Sequence, residues 1–521
     1  MNRIRFAAVA ALAVALVCVG VDAHANTGPT VTNTTVTSRA ADRTTIALTV
    51  FRPAGAVASH RVPLILDSHG WGGSRRKTVD STVQAFVDAG YGVVSFDQRG
   101  FGDSGGQANV QDPAFEVKDT EAVIDYIATL QWVQLDGPGD PVLGAIGGSY
   151  GGGYQTMTAL AEAAANGGHT RFNALAPQIT WYDLNDSLAP NDVPRTGWLS
   201  ILYAAGAKAL PPYIHEGFAE MMATGNIPAG IKGQFASHAP RYFTDRGTRL
   251  DIPVLFRQGI SDNLFNLNQG LANFANMLTD SARARSRLIG FNGGHALPSV
   301  VPPGNRQNSI ARDPSGGVSA DPTASFAEGP DACSGKGGFI AREIEFFDSV
   351  LKGHGKRTGH GQTSIQHAYN LTTDDGSRCL RFDRLPATRA VPVPLTVSTT
   401  GGGAPQYVPI RTGPVTVAGI PHLRATMTAA GVDTRVFLGL AVGTTPADAT
   451  LVDNNVLPLR SALPAISQAV RADLPGVAVI VPPGKNLYLV VTPVVDQFAL
   501  HGSRTPGAVV LQDAVVELPV L

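Results

Sequence analysis

The chain has 521 residues, more than the roughly 250–300 that a single hydrophobic core usually serves, so we expect at least two folded units. Hydrophobic residues make up 44% of the sequence and charged residues 16%, a composition that excludes disorder as a global description. Basic residues number 40 and acidic residues 41, and this formal net charge of -1 gives no indication of a nucleic acid or an anionic membrane surface as a partner.

The first predicted element is a secretory signal peptide over residues 1–25. Arg3 and Arg5 precede an apolar run over residues 6–21, and Ala23 and Ala25 provide the small residues of a cleavage site. The run is shorter than the roughly 20 residues that a membrane span needs, and no later apolar run reaches that length. We therefore expect a secreted or extracytoplasmic protein without an integral membrane span.

Residues 26–353 show alternating strands and helices, which predict an α/β catalytic domain with a mostly parallel sheet and helices on both faces. The predicted strands lie at residues 62–67, 92–96, 142–146, 172–180, 252–258 and 287–291. Between about residues 181 and 250, helices are predicted without intervening strands. This interruption indicates a helical cap inserted into the α/β domain.

The sequence pattern changes after residue 353, and residues 354–521 are predicted to form a linker followed by an all-β sandwich or jelly roll. Short apolar runs recur there between Gly, Pro and Asp turns, as antiparallel strands require. His354, His360 and His367 lie in a Gly-rich stretch, for which a solvated linker is the favoured interpretation over a metal site. The sequence has no phosphate loop, metal cluster or dinucleotide fingerprint, so we infer no cofactor.

Two cysteines, Cys333 and Cys379, remain after removal of the signal peptide. An even pair in an oxidising compartment favours a disulfide, with two separate buried thiols as the alternative.

Segment 147–151 (GGSYG) matches the G-x-S-x-G elbow that presents a nucleophilic serine. Ser149 follows an apolar strand and opens a helix, which is the context that the elbow needs to hold the hydroxyl exposed. Segment 102–106 (GDSGG) fits the same pattern, but no helix is predicted after Ser104 until about Phe115. The GDSGG string is also found in trypsin-like proteases, which place His and Asp upstream on a β-barrel, contrary to the α/β rhythm here. We predict Ser149 as the nucleophile and Ser104 as part of a structural loop.

A serine nucleophile needs a base and a group that orients the base. In α/β-hydrolases these follow the serine in the order acid, then histidine, each at the carboxyl end of a strand. Asp262 follows the predicted strand at 252–258 and His295 follows the strand at 287–291. Asp251 is the rival acid, but it begins its strand and is expected at the opposite edge of the sheet. Ser149, Asp262 and His295 are therefore the predicted triad.

The oxyanion of the reaction needs two N–H donors. One is predicted to be the main-chain N–H of Tyr150. The other is expected from the turn at 69–73 (HGWGG), where Trp71 is the favoured main-chain donor and a simple tight turn is the alternative.

The sequence resembles the cocaine-esterase/X-Pro dipeptidyl-peptidase family of α/β-hydrolases (CocE/NonD type) over nearly all of the expected mature chain. The matching motifs are Asp119, Gln131-Trp132, Gly144 and 148–152 (GSYGG) within 116–154, then 97–106 (DQRGFGDSGG), Ala176-Pro177, Trp181-Tyr182-Asp183, Phe346-Phe347-Asp348, Leu351-Lys352-Gly353, Arg381-Phe382-Asp383 and Leu385-Pro386. The resemblance implies a helical cap over the active site, a C-terminal jelly-roll-like domain, and Ser149, Asp262 and His295 as the triad. Trp71 stands where family members often have a Tyr whose hydroxyl is an oxyanion donor.

Together these patterns predict a secreted serine hydrolase that cleaves acyl esters or small amides through an acyl-enzyme intermediate. An X-Pro dipeptidyl-peptidase is one alternative, and an exported glycan- or protein-binding protein with vestigial hydrolase activity, contacting the cell wall through its β domain, is another. Cap residues could line an apolar pocket or pack within the cap. They are Trp181, Tyr182, Trp198 and Tyr203.

Overall fold

The structure is a computed structural model that describes residues 28–297, 299–304, 327–328, 331–353, 366–498 and 507–521. The predicted signal peptide, His354 and His360 lie outside the described residues. None of the helices within these ranges combines the length and apolar character that crossing a bilayer requires.

A ten-stranded sheet forms the centre of the described residues before 383. Its strands are β1 (Thr30–Thr37), β2 (Thr45–Arg52), β3 (Leu64–Ser68), β4 (Gly92–Phe96), β5 (Leu143–Gly148), β6 (Ala174–Gln178), β7 (Leu255–Gly259), β8 (Arg287–Phe291), β9 (Tyr369–Thr372) and β10 (Cys379–Phe382). They follow one another across the sheet in the order β1-β2-β4-β3-β5-β6-β7-β8-β9-β10. Neighbours from β4 to β9 pair in parallel, while β1, β2 and β10 pair antiparallel with their neighbours.

Helices cover both faces of this sheet because successive strand residues alternate between the two sides. The helices are α1 (Ser81–Asp88), α2 (Glu116–Thr129), α3 (Tyr150–Ala165), α9 (Leu267–Asn276), α10 (Asp280–Arg285) and α11 (Gly338–Leu351), and those of the cap take the intervening numbers. Leu64 and Leu66 of β3 join the core formed with α2, α3 and α9, whereas Ile65 joins the core formed with α1 and α11. The α/β fold predicted from the strand and helix rhythm is confirmed.

The predicted helical cap lies between β6 and β7. It comprises α4 (Leu184–Leu188), a 3-10 turn at Pro190–Asp192, α5 (Thr196–Gly206), α6 (Pro212–Thr224), α7 (Ala229–Phe235) and α8 (Pro240–Thr244). Gly225, with φ 73°, ends α6 in the left-handed conformation that favours glycine at a helix C-terminus. The cap shares an apolar cluster with the turn after β3 and with Tyr150, so it packs directly over the carboxyl edge of the sheet.

The described residues from 388 onward form antiparallel sheets around a separate apolar core. Their strands are β11 (Thr388–Pro392), β12 (Val397–Thr400), β13 (Gln406–Thr412), β14 (Val415–Gly419), β15 (His422–Ala430), β16 (Thr434–Gly443), β17 (Leu457–Ser461), β18 (Ala465–Asp473), β19 (Val477–Val481), β20 (Asn486–Thr492) and β21 (Ala508–Pro519). Shorter pairings join Leu135–Gly137 to Asp140–Pro141, Gly293–Gly294 to Ala327–Glu328, and Thr450–Leu451 to β16. The all-β character predicted for this region is confirmed, and we refer to residues 388–521 as the β domain.

The sequence interpretation assigned all of residues 354–521 to the linker and the β domain, but β9 and β10 extend the large sheet. β9 pairs in parallel with β8, and β10 pairs antiparallel with β9. The predicted disulfide forms between Cys333, which precedes α11, and Cys379, the first residue of β10. This crosslink ties the outermost strand to the segment that precedes α11.

Candidate active site

Ser149 stands at the sharp turn between β5 and α3. Its φ and ψ angles are 57° and -119°, a strained conformation for a residue other than glycine. The turn is held because the Ser149 N–H donates to the carbonyl oxygen of Gln178 at 2.9 Å, and the Ser149 carbonyl accepts from Gly152 and Gly153 at 2.9 and 3.0 Å. The predicted elbow is therefore present, with the hydroxyl at the carboxyl edge of the sheet.

Two glycines of the elbow are required by close packing against β3. A Cβ on Gly151 would overlap the carbonyl oxygen of Ser68, and a Cβ on Gly147 would lie 2.7 Å from the same oxygen. Gly147 also has φ 140°, which side chains rarely tolerate. The G-x-S-x-G pattern thus reflects the tight approach of two neighbouring strands beneath the serine.

His295 connects the other two predicted triad residues. Its Nε2 lies 2.9 Å from Ser149 Oγ, and its Nδ1 lies 2.7 Å from Asp262 Oδ2. All three side chains are buried. Because a carboxylate only accepts hydrogen bonds, Nδ1 carries the proton and Nε2 faces the hydroxyl as an acceptor.

Asp262 accepts four hydrogen bonds, two on each carboxylate oxygen. Oδ1 accepts from the main-chain N–H groups of Leu264 at 2.9 Å and Phe265 at 2.6 Å. Oδ2 accepts from the main-chain N–H of His295 at 3.0 Å in addition to its imidazole. These donors fix the carboxylate in one orientation and stabilise its charge.

Aromatic side chains from two elements enclose the imidazole. Trp198 of α5 and Phe265 each meet the His295 ring edge to face, with centroids 5.7 and 5.1 Å apart. The indole N–H of Trp198 donates to Asn263 Oδ1 at 2.7 Å, so the tryptophan is held in place by the residue that follows Asp262. The cap therefore helps to enclose the His295 imidazole.

The turn after β3 lies against the elbow. A Cβ on Gly70 would be 3.7 Å from Ser149 Cβ, which places this turn beside the nucleophile. His69 Nδ1–H donates to the Gly70 carbonyl at 2.8 Å, and His69 Nε2 accepts from the Gln98 N–H at 3.1 Å. Burial lowers the pKa of His69, so a neutral imidazole holds the shape of the turn.

Trp71 lies in this turn with its side chain directed into the cap. Its indole N–H donates to the carbonyl oxygen of Leu202 at 2.8 Å, and its ring packs edge to face on Tyr150 and Phe101 with centroids 4.9 and 5.0 Å away. Because the indole N–H is already engaged, any hydrogen bond from Trp71 to a reacting oxygen must come from its main chain. Tyr150 is the first residue of α3, where main-chain N–H groups have no partner within the helix.

A buried carboxyl group lies behind Tyr150. Glu116 Oε1 is 3.4 Å from the Tyr150 hydroxyl, and the Glu116 carboxyl accepts from the main-chain N–H groups of Asn109 and Asp112 at 2.6 and 2.9 Å. Burial, with a further contribution from the nearby Asp119, raises the pKa of Glu116 to about 8. This group shapes the loop beneath the aromatic side chains.

The rival residues from the sequence lie outside this arrangement. The Ser104 hydroxyl donates to the Asp97 carbonyl at 2.7 Å and accepts from the Ala47 N–H at 2.9 Å, both structural contacts. Asp251 is exposed and accepts from Thr279 Oγ1 at 2.5 Å before β7 begins.

Three of the four aromatic residues named for the cap have contacts within the protein interior or the cap, and one contacts the candidate site. Trp181 is buried and donates to the His238 carbonyl at 2.9 Å, while the Tyr203 ring stacks on Phe218 with centroids 3.9 Å apart. The Tyr182 hydroxyl pairs with the hydroxyl of Thr244 at 2.7 Å, also within the cap. Of the four residues named from the sequence, Trp198 is the one seen against the histidine.

The sequence analysis did not identify Asn263 and Asn455, whose hydrogen bonds hold the segment around Asp262. Asn263 accepts from Trp198 and from the Leu297 N–H at 3.1 Å, and its own N–H donates to the His295 carbonyl at 2.9 Å. Asn455 of the β domain donates to the main-chain carbonyl of Asp262 at 2.8 Å. Adjacency to Asp262 could have singled out Asn263, but no local signal marks Asn455.

Part of the chain matches a known protein family. Residues 42–296 match the model of the X-Pro dipeptidyl-peptidase (S15) family. The quorum-quenching protein AidA of Acinetobacter baumannii (strain MDR-ZJ06) is 29% identical over 226 residues, which cover 40% of this chain and 71% of that protein.

Two solved structures share the fold over nearly the whole chain. A CocE/NonD family hydrolase from Staphylococcus aureus has a TM-score of 0.63 at 14% identity and covers 94% of this chain and 93% of its own. An aminopeptidase from the marine sediment archaeon Thaumarchaeota archaeon has a TM-score of 0.64 at 14% identity, with 94% and 96% covered. The resemblance predicted from the sequence is confirmed.

Proposed function

We propose that this chain, a hydrolase related to the X-Pro dipeptidyl-peptidase (S15) family, is an exported serine hydrolase that cleaves acyl esters or small amides. The observation that carries the proposal is the His295 imidazole, which lies 2.9 Å from Ser149 Oγ on one side and 2.7 Å from Asp262 Oδ2 on the other. This is the spacing that nucleophile activation by a base and an orienting acid requires.

Acylation begins when Ser149 Oγ attacks the substrate carbonyl carbon while its proton passes to His295 Nε2. Asp262 stabilises the imidazolium that forms. The negative charge on the former carbonyl oxygen is met by the main-chain N–H of Tyr150, with the main-chain N–H of Trp71 as the second donor. Collapse of the tetrahedral intermediate breaks the bond to the leaving group, which takes the proton from His295.

Deacylation repeats the sequence with water. His295 Nε2 removes a proton from a water molecule as its oxygen attacks the acyl carbon. The second tetrahedral intermediate collapses to a carboxylic acid, and the proton returns to Ser149. No cofactor is needed to balance either step.

The apolar surroundings of His295 favour an apolar, uncharged acyl group. The aromatic rings of Trp198 and Phe265 pack against the His295 imidazole. The rings of Trp71 and Tyr150 pack against each other in the neighbouring apolar cluster. Such a lining favours an apolar acyl portion over a charged one.

The test compares kcat/KM on a short-chain p-nitrophenyl ester with kcat/KM on Ala-Pro-p-nitroanilide. We expect ester turnover with little anilide cleavage, and we expect Ser149→Ala to abolish it. Ser104→Ala is the matched control, because that serine occupies the second G-x-S-x-G match and should retain kcat. Strong anilide turnover would instead identify a dipeptidyl-peptidase. Weak hydrolysis of every ester would favour the binding-protein alternative, and activity unchanged in Ser149→Ala would refute the site.

Export is the second part of the proposal and depends on the basic and apolar pattern of residues 1–25. We expect the full chain expressed in a bacterial host to be recovered outside the cytoplasm with Asn26 as its first residue. A chain lacking residues 2–25 should remain in the cytoplasm, and equal export of both forms would contradict the signal peptide.

A further inference from the structure

A loop of the β domain, residues 453–455, contacts residues 261–263, the segment that contains Asp262. Asn455 Nδ2 donates to the Asp262 carbonyl oxygen at 2.8 Å, as noted above. On either side, Ser261 Oγ donates to Asp453 Oδ1 at 3.4 Å. These contacts join segment 261–263 to segment 453–455, which is fully buried.

Asn263 completes the contact between the two segments. Its side-chain amide lies 3.5 Å from the main-chain oxygen of Asn454, and the same amide donates to the Leu297 carbonyl at 2.8 Å. Since the Asn263 main chain also bonds to His295, the loops of the acid and the base are joined to each other and to the β domain.

The loop of the β domain has a left-handed backbone that its surroundings hold in place. Asp453 and Asn454 have φ angles of 56° and 52°, in the left-handed region that Asp and Asn adopt more readily than other non-glycine residues. Gln497 Nε2 donates to the Asn454 carbonyl at 2.6 Å, and the Leu451 N–H donates to the Pro303 carbonyl at 2.9 Å. These two hydrogen bonds hold segment 453–455 in place beside Asp262.

We propose that Asn455 is a positioning residue for the catalytic acid, so that the β domain contributes to the active site without touching the substrate. This inference rests on the proposed function, since it assigns Asn455 a role relative to Asp262 in the triad. The Asn455 amide fixes the peptide group that follows the Asp262 Cα, and with it the direction of the carboxylate toward His295. Loss of this hydrogen bond allows the carboxylate to tilt, which lengthens its bond to the imidazole and weakens the stabilisation of the imidazolium.

A positioning role and a packing role make different predictions for two substitutions. Asn455→Leu keeps the approximate volume of the side chain but cannot donate a hydrogen bond to the Asp262 carbonyl, whereas Asn455→Ala removes the side chain. If the hydrogen bond matters, Asn455→Leu lowers kcat about as much as Asn455→Ala does. If packing alone matters, Asn455→Ala is the more damaging of the two.

The experiment measures kcat and KM on a short-chain p-nitrophenyl ester at a temperature where circular dichroism shows each variant folded. We expect Asn455→Ala to lower kcat about tenfold with KM unchanged, as the loss of one buried hydrogen bond implies. We expect a similar fall for Asn455→Leu. If that variant does not fold, the separation of kcat from KM in Asn455→Ala carries the test.

Asn486 provides the matched control within the same domain. Its Nδ2 also donates to a main-chain carbonyl, that of Thr444, at 3.2 Å, but this contact lies on β20 outside the acid's surroundings. Asn486→Ala and Asn486→Leu should leave kcat within twofold of the parent. Equal kcat values for the Asn455 and Asn486 variants would overturn the positioning role. Retained activity in Ser149→Ala would instead overturn the proposed function, so the two failures are distinguishable.

Discussion

Replacing Asp262 with asparagine tests the proposed triad, because the carboxylate accepts four hydrogen bonds and an amide cannot accept all of them. Each oxygen accepts from two N–H groups, so an amide NH2 must face two donors whichever way it is turned. With the NH2 at the Oδ1 position, the N–H groups of Leu264 and Phe265 both lose their acceptor. With the NH2 at the Oδ2 position, the main-chain N–H of His295 loses its acceptor, while the imidazole can move its proton to Nε2.

The second orientation leaves one fewer buried donor unsatisfied, which favours it by about 1–3 kcal/mol. That difference corresponds to roughly 5- to 150-fold in population, so most Asp262→Asn molecules carry a His295 whose Nε2 is protonated and cannot accept from Ser149. The remaining molecules also lack the charge that stabilises the imidazolium. We therefore expect kcat to fall by about 10⁴, as in other serine hydrolase triads, and the free energy of unfolding to fall by about 1–3 kcal/mol.

The assay is kcat on a short-chain p-nitrophenyl ester, with urea unfolding on the same preparations. Asp251→Asn is the matched control, because this acid is exposed and bonds to Thr279 before β7. It should keep kcat within twofold. If Asp262→Asn retained more than a tenth of the parent kcat, the reasoning from tautomer and charge would be refuted.

Three further predictions concern stability. The 46-residue separation of Cys333 and Cys379 implies that replacing both with serine lowers the free energy of unfolding by about 4 kcal/mol in urea titrations, and an unchanged value would contradict a formed crosslink. Burial raises the pKa of Glu116 from 4.5 to about 8, so the folded protein loses stability as pH rises between those values. Glu116→Gln removes this loss, and the variant should therefore gain stability relative to the parent from pH 5 to pH 8. A constant difference in unfolding free energy would show that the pKa is not raised. Gly151→Ala should cost more than about 3 kcal/mol in unfolding free energy because its Cβ overlaps β3, whereas Gly230→Ala, with nothing within 4 Å of its Cβ, should be neutral or slightly stabilising, and equal effects would refute the close packing.

The sequence predicted the features whose causes are local. The elbow at Ser149 is specified by its own glycines and by the apolar strand before it, and Asp262 and His295 follow strands whose apolar character is evident in a few residues. Alternating strands and helices also determine the sheet, because short connections and right-handed crossovers leave few alternatives. The absence of predicted strands over about residues 181–250 indicates the cap.

Features that depend on contacts between residues distant in sequence could not be predicted from the sequence. Tyr369–Thr372 and Cys379–Phe382 are four-residue strands, too short for their alternation to assign them to one sheet or another, and their place depends on pairing with β8. The contact of Trp198 with His295 depends on how the cap folds back over the sheet. The hydrogen bond from Asn455 to Asp262 depends on contact between two domains, which no periodicity in either domain encodes.

The hydrogen bond between Asn455 and Asp262 joins residues 193 positions apart in the chain. During synthesis, the α/β residues leave the ribosome well before segment 453–455 exists, and domains generally fold in that order. The acid's loop therefore lacks its partner in the early chain and acquires it only when the last part of the protein has folded against the first. If Asn455 positions Asp262 as we propose, a prematurely terminated chain would contain all three predicted triad residues yet lack this hydrogen bond.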